Sequence, residues 1–119
     1  MPREKTILVV DDDSDVRESV TDLLELHGYH VITASDGRSA LVQLKNAAPP
    51  PSLVLLDLVM PVLDGRSFLK QARHNRRLAG IPVLIVTGED TSNVPGAAAV
   101  LRKPVAPETL LSCVQQLLL

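Results

Sequence analysis

Acidic residues directly follow two short apolar runs of this chain. The run at residues 7–10 leads into Asp11 and Asp12, and the run at residues 53–56 leads into Asp57. If the two runs are neighbouring parallel strands, these three carboxylates converge at one edge of a sheet. Like charges that close together cannot all stay ionised without a cation. The pattern therefore predicts a metal site, and a metal beside a carboxylate suggests phosphate chemistry.

Two further polar side chains follow apolar runs later in the sequence. Thr87 comes after the run at residues 81–86, and Lys103 comes after the run at residues 98–102. In parallel α/β sheets the site lies beyond the carboxyl ends of the strands, which is where these residues fall. A phosphoryl group carries charge on its peripheral oxygens, and a metal, a hydroxyl and an ammonium group can neutralise that charge. The predicted cation is Mg²⁺, which prefers a few carboxylates plus water and phosphate oxygens.

Apolar patterning predicts strands that alternate with helices along the chain. Continuous apolar and β-branched runs are typical of strands buried on both faces. The predicted strands are residues 6–10, 29–34, 53–56, 81–86 and 98–102. The second is more polar than the others and is predicted to be an edge strand. Strands alternating with helices indicate an α/β fold with a parallel sheet covered on both faces.

Helical spacing of apolar residues fills the connections between these strands. Cap-type residues and a proline mark four helix starts, at Asp13 or Ser14, Asp36, Asp64 and Pro107. Asp13 and Asp64 are therefore assigned to helix starts or turns and not to the metal site. The first helix is predicted to end at Gly28, and the third is predicted to include Leu78 and to end at Gly80.

Composition limits the classes of function. At 119 residues the chain fits one domain, predicted to span residues 1–119. The net charge of −2 gives no electrostatic case for nucleic-acid binding, and the near absence of aromatic residues argues against a stacking platform for bases. Charge or proline interrupts each apolar stretch, so no membrane span is expected. The single cysteine, Cys113, excludes an internal disulfide and fits a reducing, cytoplasmic compartment.

The sequence resembles the receiver domain of bacterial two-component response regulators. The residues that carry the resemblance are Val9, Val10, Asp11 and Asp12; Asp57, Met60, Pro61, Asp64 and Gly65; Val86 and Thr87; and Lys103 and Pro104. They occur in order over essentially the whole chain. The resemblance implies a CheY-like, flavodoxin-like fold, with a doubly wound five-stranded parallel sheet in the strand order 2-1-3-4-5.

The resemblance also implies roles for the acidic residues. Asp57 corresponds to the phosphoacceptor, which receives phosphate from a sensor histidine kinase or a histidine phosphotransfer protein. Asp12 would bind Mg²⁺ directly, Asp11 would be a water-mediated or auxiliary ligand, and the backbone carbonyl of Val59 would complete the protein's share of the coordination.

The remaining site residues receive roles from the same resemblance. Thr87 would bond a phosphate oxygen once Asp57 is modified. Lys103 would pair with Asp57 and then with its phosphate, and the Lys103–Pro104 bond is a candidate for the cis form. Such a domain is not an enzyme toward other molecules. It would catalyse its own phosphorylation, with its own dephosphorylation as an open second reaction.

The chain departs from the family pattern between Thr87 and Lys103. After the fifth strand is counted, residues 88–97 remain for a crossover that normally needs about 10–12 residues including its helix. Two glycines and a proline in this segment make a poor helix. The fourth helix is therefore predicted to be shortened or absent. Val100 stands where many receivers carry a tyrosine or phenylalanine, and valine has no large ring to relocate, so an atypical output switch is expected.

Three alternatives to the phosphoacceptor interpretation are open. The first is a phosphorylation-independent interaction module, either a pseudo-receiver or an oligomerisation domain. The second is a Mg²⁺-dependent phosphohydrolase, which Val59 disfavours because that position would need a second aspartate. The third is a flavodoxin-like cofactor binder, which lacks a glycine-rich phosphate loop here.

Two surface features lie at the ends of predicted helices. The apolar residues 117–119 leave a strip that a homodimer could bury, and they also fit a chain that continues further. A basic cluster, Arg73, His74, Arg76 and Arg77, is predicted to be a solvated helix end that favours the helix dipole. The downstream protein target does not follow from the sequence.

Overall fold

The fold was analysed in a computed structural model that describes residues 5–89 and 94–119. Five strands and four helices alternate until the fourth strand. They are β1 (Thr6–Val10), α1 (Ser14–Leu26), β2 (His30–Ala34), α2 (Gly37–Asn46), β3 (Leu53–Leu56), α3 (Gly65–Arg73), β4 (Val83–Thr87), β5 (Ala99–Arg102) and α4 (Pro107–Leu117).

The strands form one parallel sheet in the order β2-β1-β3-β4-β5. This confirms the predicted fold class and the predicted edge position of the second strand. The central strands β1 and β3 are almost fully buried, which explains their continuous apolar sequences. The sheet order reverses between β1 and β3, so the site is expected beyond the carboxyl ends of these two strands.

Two apolar clusters hold the helices against the two faces of the sheet. Ile7 and Val9 point into the cluster under α1 and α4, whereas Leu8 and Val10 point into the cluster under α2 and α3. This alternation follows from the two-residue period of a strand. Phe68 of α3 is completely buried and is among the largest side chains of the second cluster.

Acidic caps start three of the four helices. The side chains of Asp13, Asp36 and Asp64 accept hydrogen bonds from backbone N–H groups in the first turns of α1, α2 and α3. The helix-start assignments of Asp13 and Asp64 are therefore confirmed. Gly28 follows the end of α1 with a φ of 89°, a conformation that favours glycine.

Some predicted boundaries are wrong by one or two residues. The second strand begins at His30, the fourth spans Val83–Thr87 and the fifth begins at Ala99. The fourth strand starts late because the N–H of Ile81 closes a turn to Leu78, and the next residue, Pro82, has no N–H to give to a neighbouring strand.

The third helix is shorter than predicted. It ends at Arg73. Leu78 is buried, but it lies in a series of turns and not in a helix. The side chain of Asn75 accepts a hydrogen bond from the N–H of Arg77, which offers the backbone an alternative to the helical bond.

The connection between β4 and β5 contains no helix within residues 88–89 and 94–98. The N–H of Ala97 closes a turn onto the carbonyl of Val94, and Val94 itself is buried. Ala98 then donates to the carbonyl of Val83 as the chain enters β5. The predicted loss of the fourth helix is confirmed for this described part, while residues 90–93 lie outside it.

The two surface features at helix ends differ from their predictions. Leu118 is buried and Leu117 packs against the α1–α4 cluster, so Leu119 is the exposed member of the supposed dimerisation strip. Within the basic cluster, Arg73 and Arg77 donate to backbone carbonyls of other segments, so they are not merely solvated. Among the described helices, none is both long enough and apolar enough to cross a membrane.

Candidate functional site

Three carboxylates meet at the carboxyl edge of the sheet, where β1 and β3 lie side by side. Val10 pairs with Leu56, and the N–H of Asp57 donates to the carbonyl of Val10 at 3.0 Å. Asp11, Asp12 and Asp57 each present a carboxylate oxygen within 4.8 Å of the other two. The sheet therefore brings together the three acidic residues that the sequence singled out.

The three carboxylates differ in their surroundings. Asp11 and Asp57 are 5% and 7% exposed, whereas Asp12 is open to solvent. One oxygen of Asp11 accepts from the N–H of Asp13 at 2.9 Å, and one oxygen of Asp57 accepts from the N–H of Val59 at 3.2 Å. These bonds offset part of the cost of burying the two charges. Asp12 is the carboxylate best placed to meet an ion arriving from solvent.

Lys103 lies between the two buried carboxylates. Its Nζ is 2.8 Å from Asp11 Oδ2 and 3.2 Å from Asp57 Oδ2. Partial burial alone lowers the pKa of Lys103, but the hydrogen bond to Asp11 and the charges of both carboxylates outweigh burial and raise that pKa. The ammonium group is therefore charged at neutral pH. Sequence reasoning anticipated the contact with Asp57 and missed the shorter contact with Asp11.

Thr87 lies at the end of β4 and is fully buried. Its hydroxyl oxygen accepts from the N–H of Glu89 at 3.2 Å, and its backbone carbonyl accepts from the N–H of Lys103 at 2.9 Å. The second bond ties the end of β4 to the residue that carries the ammonium group. The hydroxyl and the cation are thus held by the same pair of neighbouring strands.

The loop from β3 to α3 positions Asp57 through a close backbone contact at Gly65. A Cβ atom at Gly65 would lie 2.6 Å from the carbonyl oxygen of Asp57 and 2.7 Å from Cα of Leu58. The loop also holds Val62 at a φ of 69°, which is strained for a β-branched residue. Val59 and Val62 are largely exposed at this edge of the molecule.

An additional contact fixes the backbone of the first acidic residue. The guanidinium group of Arg17 on α1 donates to the carbonyl of Asp11 at 2.8 Å. Sequence reasoning missed Arg17 because an arginine in the first turns of a helix carries no distinctive signal. Its position six residues after Asp11 was the only available clue.

The donor set fits a hard cation. Carboxylate oxygens are the ligands that Mg²⁺ prefers, and the cluster offers oxygens from three residues that directly follow β1 and β3. Lys103 already bonds one oxygen of each buried aspartate, so an incoming ion and this ammonium group would share the same negative charge.

Val100, the predicted switch position, lies on the edge strand β5. It pairs with Ile85 and is 38% exposed. The Lys103–Pro104 peptide bond is cis, as predicted.

Comparison with known proteins identifies the family to which this geometry belongs. The family model described as "Response regulator receiver domain" matches residues 7–115. The chain belongs to the response regulator receiver domain family. Receiver domains are signalling modules that take phosphate from histidine kinases and generally bind Mg²⁺.

The match to this receiver domain covers nearly all of one relative and about half of another. It is 36% identical to Protein PilH of Pseudomonas aeruginosa over 118 residues, covering 94% of this chain and 96% of PilH. It is 41% identical to Response regulator MprA of Mycolicibacterium vanbaalenii over 118 residues, which is 94% of this chain. The chain spans 49% of that relative's length.

Solved structures agree with the family assignment. The chemotaxis response regulator CheY4 of Vibrio cholerae superposes on this receiver domain with a TM-score of 0.88 at 34% identity. That alignment covers 97% of this chain and 99% of CheY4. A receiver domain protein of Methanospirillum hungatei gives a TM-score of 0.89 at 31% identity, covering 98% and 94% of the two chains.

Proposed function

We propose that this receiver domain accepts a phosphoryl group on Asp57 in a Mg²⁺-dependent reaction. The observation that carries the proposal is the position of Asp57. Its buried carboxylate lies at the sheet edge within 4.8 Å of oxygens from Asp11 and Asp12, and 3.2 Å from the ammonium group of Lys103. A nucleophile, two candidate metal ligands and a cation are thus assembled in one place.

The proposed reaction is an in-line displacement at phosphorus. A carboxylate oxygen of Asp57 forms the new bond to phosphorus while the bond from phosphorus to a histidine nitrogen of the donor breaks. The electron pair of that bond leaves with the imidazole, and the product is an acyl phosphate. Catalysis of such a transfer consists mainly of positioning and charge neutralisation.

Asp11 and Asp12 would hold the Mg²⁺, with the backbone carbonyl of Val59 as a further ligand. The ion supplies positive charge that lets an anionic phosphoryl donor approach a cluster of carboxylates. Asp12 is exposed and Asp11 is buried, which supports the view that Asp12 is the direct ligand and Asp11 an auxiliary one.

Thr87 and Lys103 would receive the transferred group. The Thr87 hydroxyl accepts from Glu89, so its own proton is available to donate to a phosphate oxygen. The ammonium group of Lys103 would turn from the Asp57 carboxylate to a phosphate oxygen on the same side chain. Both contacts would stabilise charge that the acidic cluster alone would repel.

The proposal also covers the extent of the domain, its phosphate donor and its cellular compartment. Residues 1–119 form one receiver domain whose phosphate donor is a sensor histidine kinase or a histidine phosphotransfer protein. It catalyses its own phosphorylation and no reaction on other molecules. The free thiol of Cys113 supports a reducing compartment, for which we propose the cytoplasm. This mechanism does not require self-association as a homodimer.

We further propose that the output of this domain is atypical. The proposal rests on Val100, a small side chain at the switch position, and on a β4–β5 connection without helix in residues 88–89 and 94–98. A receiver that signals without a moving aromatic ring must report phosphorylation through other segments, of which the β3–α3 loop is the one attached to Asp57.

Intact-mass measurement after incubation with Mg²⁺ and a small acyl phosphate donor tests the phosphoacceptor role. We expect one added phosphoryl group on the wild type, none on Asp57→Asn and none when EDTA is present. Asp13→Asn is the matched control, since it removes one nearby carboxylate while asparagine still caps α1. An unmodified wild type would instead favour the phosphorylation-independent interaction module.

A further inference from the structure

Positive charge is concentrated on one side of the molecule, on α3 and the turns that follow it. Residues 65–88 contain five of the 12 lysines and arginines and none of the 14 aspartates and glutamates. Four acidic residues and one arginine lie on α1, Ser14–Leu26. Because α1 and α3 cover opposite faces of the sheet, the molecule has an acidic face and a basic face.

The basic face contains a groove between α3 and the turn at residues 94–96. Its volume is about 420 Å³. Pro95 contributes an exposed apolar wall, whereas Leu69 and Val94 line the groove but are almost fully buried. Lys70 and His74, one helical turn apart, are exposed side chains that also line it. Among the described residues, the Lys70 ammonium group has no hydrogen-bond or ion-pair partner.

Hydrogen bonds from Arg73 fix the two sides of this groove relative to each other. Its guanidinium group donates to the carbonyls of Ala79 and Ile81, at 2.8 and 3.3 Å, and to the carbonyl of Gly96 across the groove. Gly96 adopts a φ of 88°, and a Cβ atom there would lie 3.1 Å from Nε of Arg73. The groove is therefore preformed, which lowers the cost of ordering it around a partner.

We propose that this groove binds an acidic amphipathic segment of a partner protein. The exposed ring of Pro95 and the aliphatic stems of Lys70 and Arg73, beside the Lys70 ammonium group, match a helix that carries leucine-like residues on one side and glutamates beside them. A nucleic acid is a poorer match, because the one phenylalanine, Phe68, is buried and offers no stacking surface. The acidic α1 of a second copy is also a poorer match, since its apolar face already packs against its own sheet.

The test uses a synthetic peptide of about sixteen residues with glutamate and leucine at helical spacing, titrated in fluorescence anisotropy. We expect saturable binding to the wild type with a Kd of about 10–100 μM at low salt. Lys70→Glu should weaken binding about fivefold or more, because it replaces an attraction with a repulsion. Lys45→Glu, at an exposed lysine in the last turn of α2, makes the same charge change outside the groove and should weaken binding less than twofold.

Further measurements test whether the peptide binds in the groove and whether another ligand binds there better. Amide resonances of residues 66–74 and 94–96 should shift on peptide addition, and Asp57→Asn should bind equally well, so failure of the phosphoacceptor proposal leaves this one intact. Several results would overturn the proposal: no saturation, equal losses in the Lys70 and Lys45 variants, tighter binding of a single-stranded oligonucleotide at the same residues, or a concentration-dependent dimer that buries them.

Discussion

At the scale of single residues, the site is a balance between two buried carboxylates and one ammonium group. Asp11 and Asp57 share Lys103, and each also accepts a backbone hydrogen bond. Lys103 and the backbone N–H groups neutralise part of the charge of the two buried carboxylates without a metal. Asp12 is exposed, and among the described residues it makes no hydrogen bond with Lys103. We therefore expect Asp12 to contribute more to metal affinity than to folding.

The assignment of Asp12 to metal binding predicts the result of a thermal-shift experiment. Mg²⁺ at about ten times its Kd should stabilise the wild type by about 1.4 kcal/mol, or roughly 4–8 °C in Tm. Asp12→Asn should need about tenfold more Mg²⁺ for the same shift, because one carboxylate ligand is lost. Asp13→Asn should keep the wild-type response. Equal Mg²⁺ responses in the two variants would show that Asp12 is not a ligand.

At the scale of elements, the β3–α3 loop links the acidic site to α3 through a backbone contact that leaves no room for a side chain. Gly65→Ala would push a methyl group against the carbonyl of Asp57. We expect a loss of about 1–3 kcal/mol in the free energy of unfolding, measured by urea denaturation. A reduced yield of phosphorylated protein should accompany it, since Asp57 moves with the loop.

Gly80→Ala is the control for that experiment. A Cβ atom at Gly80 meets nothing within 4 Å, so alanine there should be neutral or stabilising by up to about 1 kcal/mol. Similar losses for the two alanine variants would mean that the contact with Asp57 does not account for the effect, since the lower chain entropy of alanine in the unfolded state acts in the stabilising direction.

The cap of α3 gives a prediction about pH. The backbone N–H and hydroxyl of Ser67, with a smaller effect from Arg66, lower the pKa of Asp64 from 3.8. Asp64 therefore contributes stability that is complete above pH 3.8 and is lost as the pH falls through its folded-state pKa. Asp64→Ala should cost about 1 kcal/mol at neutral pH.

Urea titrations near pH 7 and near pH 3 check this sign. The gap in unfolding free energy between wild type and Asp64→Ala should narrow in acid, because protonation weakens the cap. Asp64→Asn, which keeps an acceptor but cannot ionise, should lose less than the alanine variant at neutral pH. A gap that widens in acid would contradict the assignment of the cap.

The strands and helix starts were largely predictable from the sequence, because buried strands and cap residues have strong local signals. Asp13, Asp64 and Pro107 mark helix starts in the chain and in the structure. The early end of α3 was not predictable, since Asn75 terminates the helix through a side-chain hydrogen bond that helical spacing does not reveal. The convergence of Asp11, Asp12 and Asp57 followed from strand order, whereas the bridging position of Lys103 required side-chain geometry.

At the scale of the whole molecule, the acidic site and the β4–β5 connection differ in how closely they follow the family. The site residues all lie at one sheet edge, while the described parts of the connection form turns in place of a helix. The arginine contacts from Arg73 fix those turns to α3. Residues 94–96 are therefore fixed to the helix that follows the β3–α3 loop.

An NMR comparison with and without beryllofluoride, an acyl-phosphate mimic, tests the atypical output. Amide resonances of residues 57–65 and 87–89 should shift, because they surround the carboxylate that binds the mimic. Val100 should change little, since it has no ring to relocate, and Asp57→Asn should show no response at all. A shift at Val100 as large as that at Thr87 would instead indicate a conventional route through β5.

The central claim is that Asp57 and no neighbouring carboxylate forms the acyl phosphate. Borohydride reduction of the phosphorylated protein converts an aspartyl phosphate to homoserine, which peptide mass mapping locates in the chain. We predict homoserine at position 57 alone, formed only when Mg²⁺ was present during phosphorylation. Homoserine at position 11 or 12, or none after treatment with donor and Mg²⁺, would contradict the account.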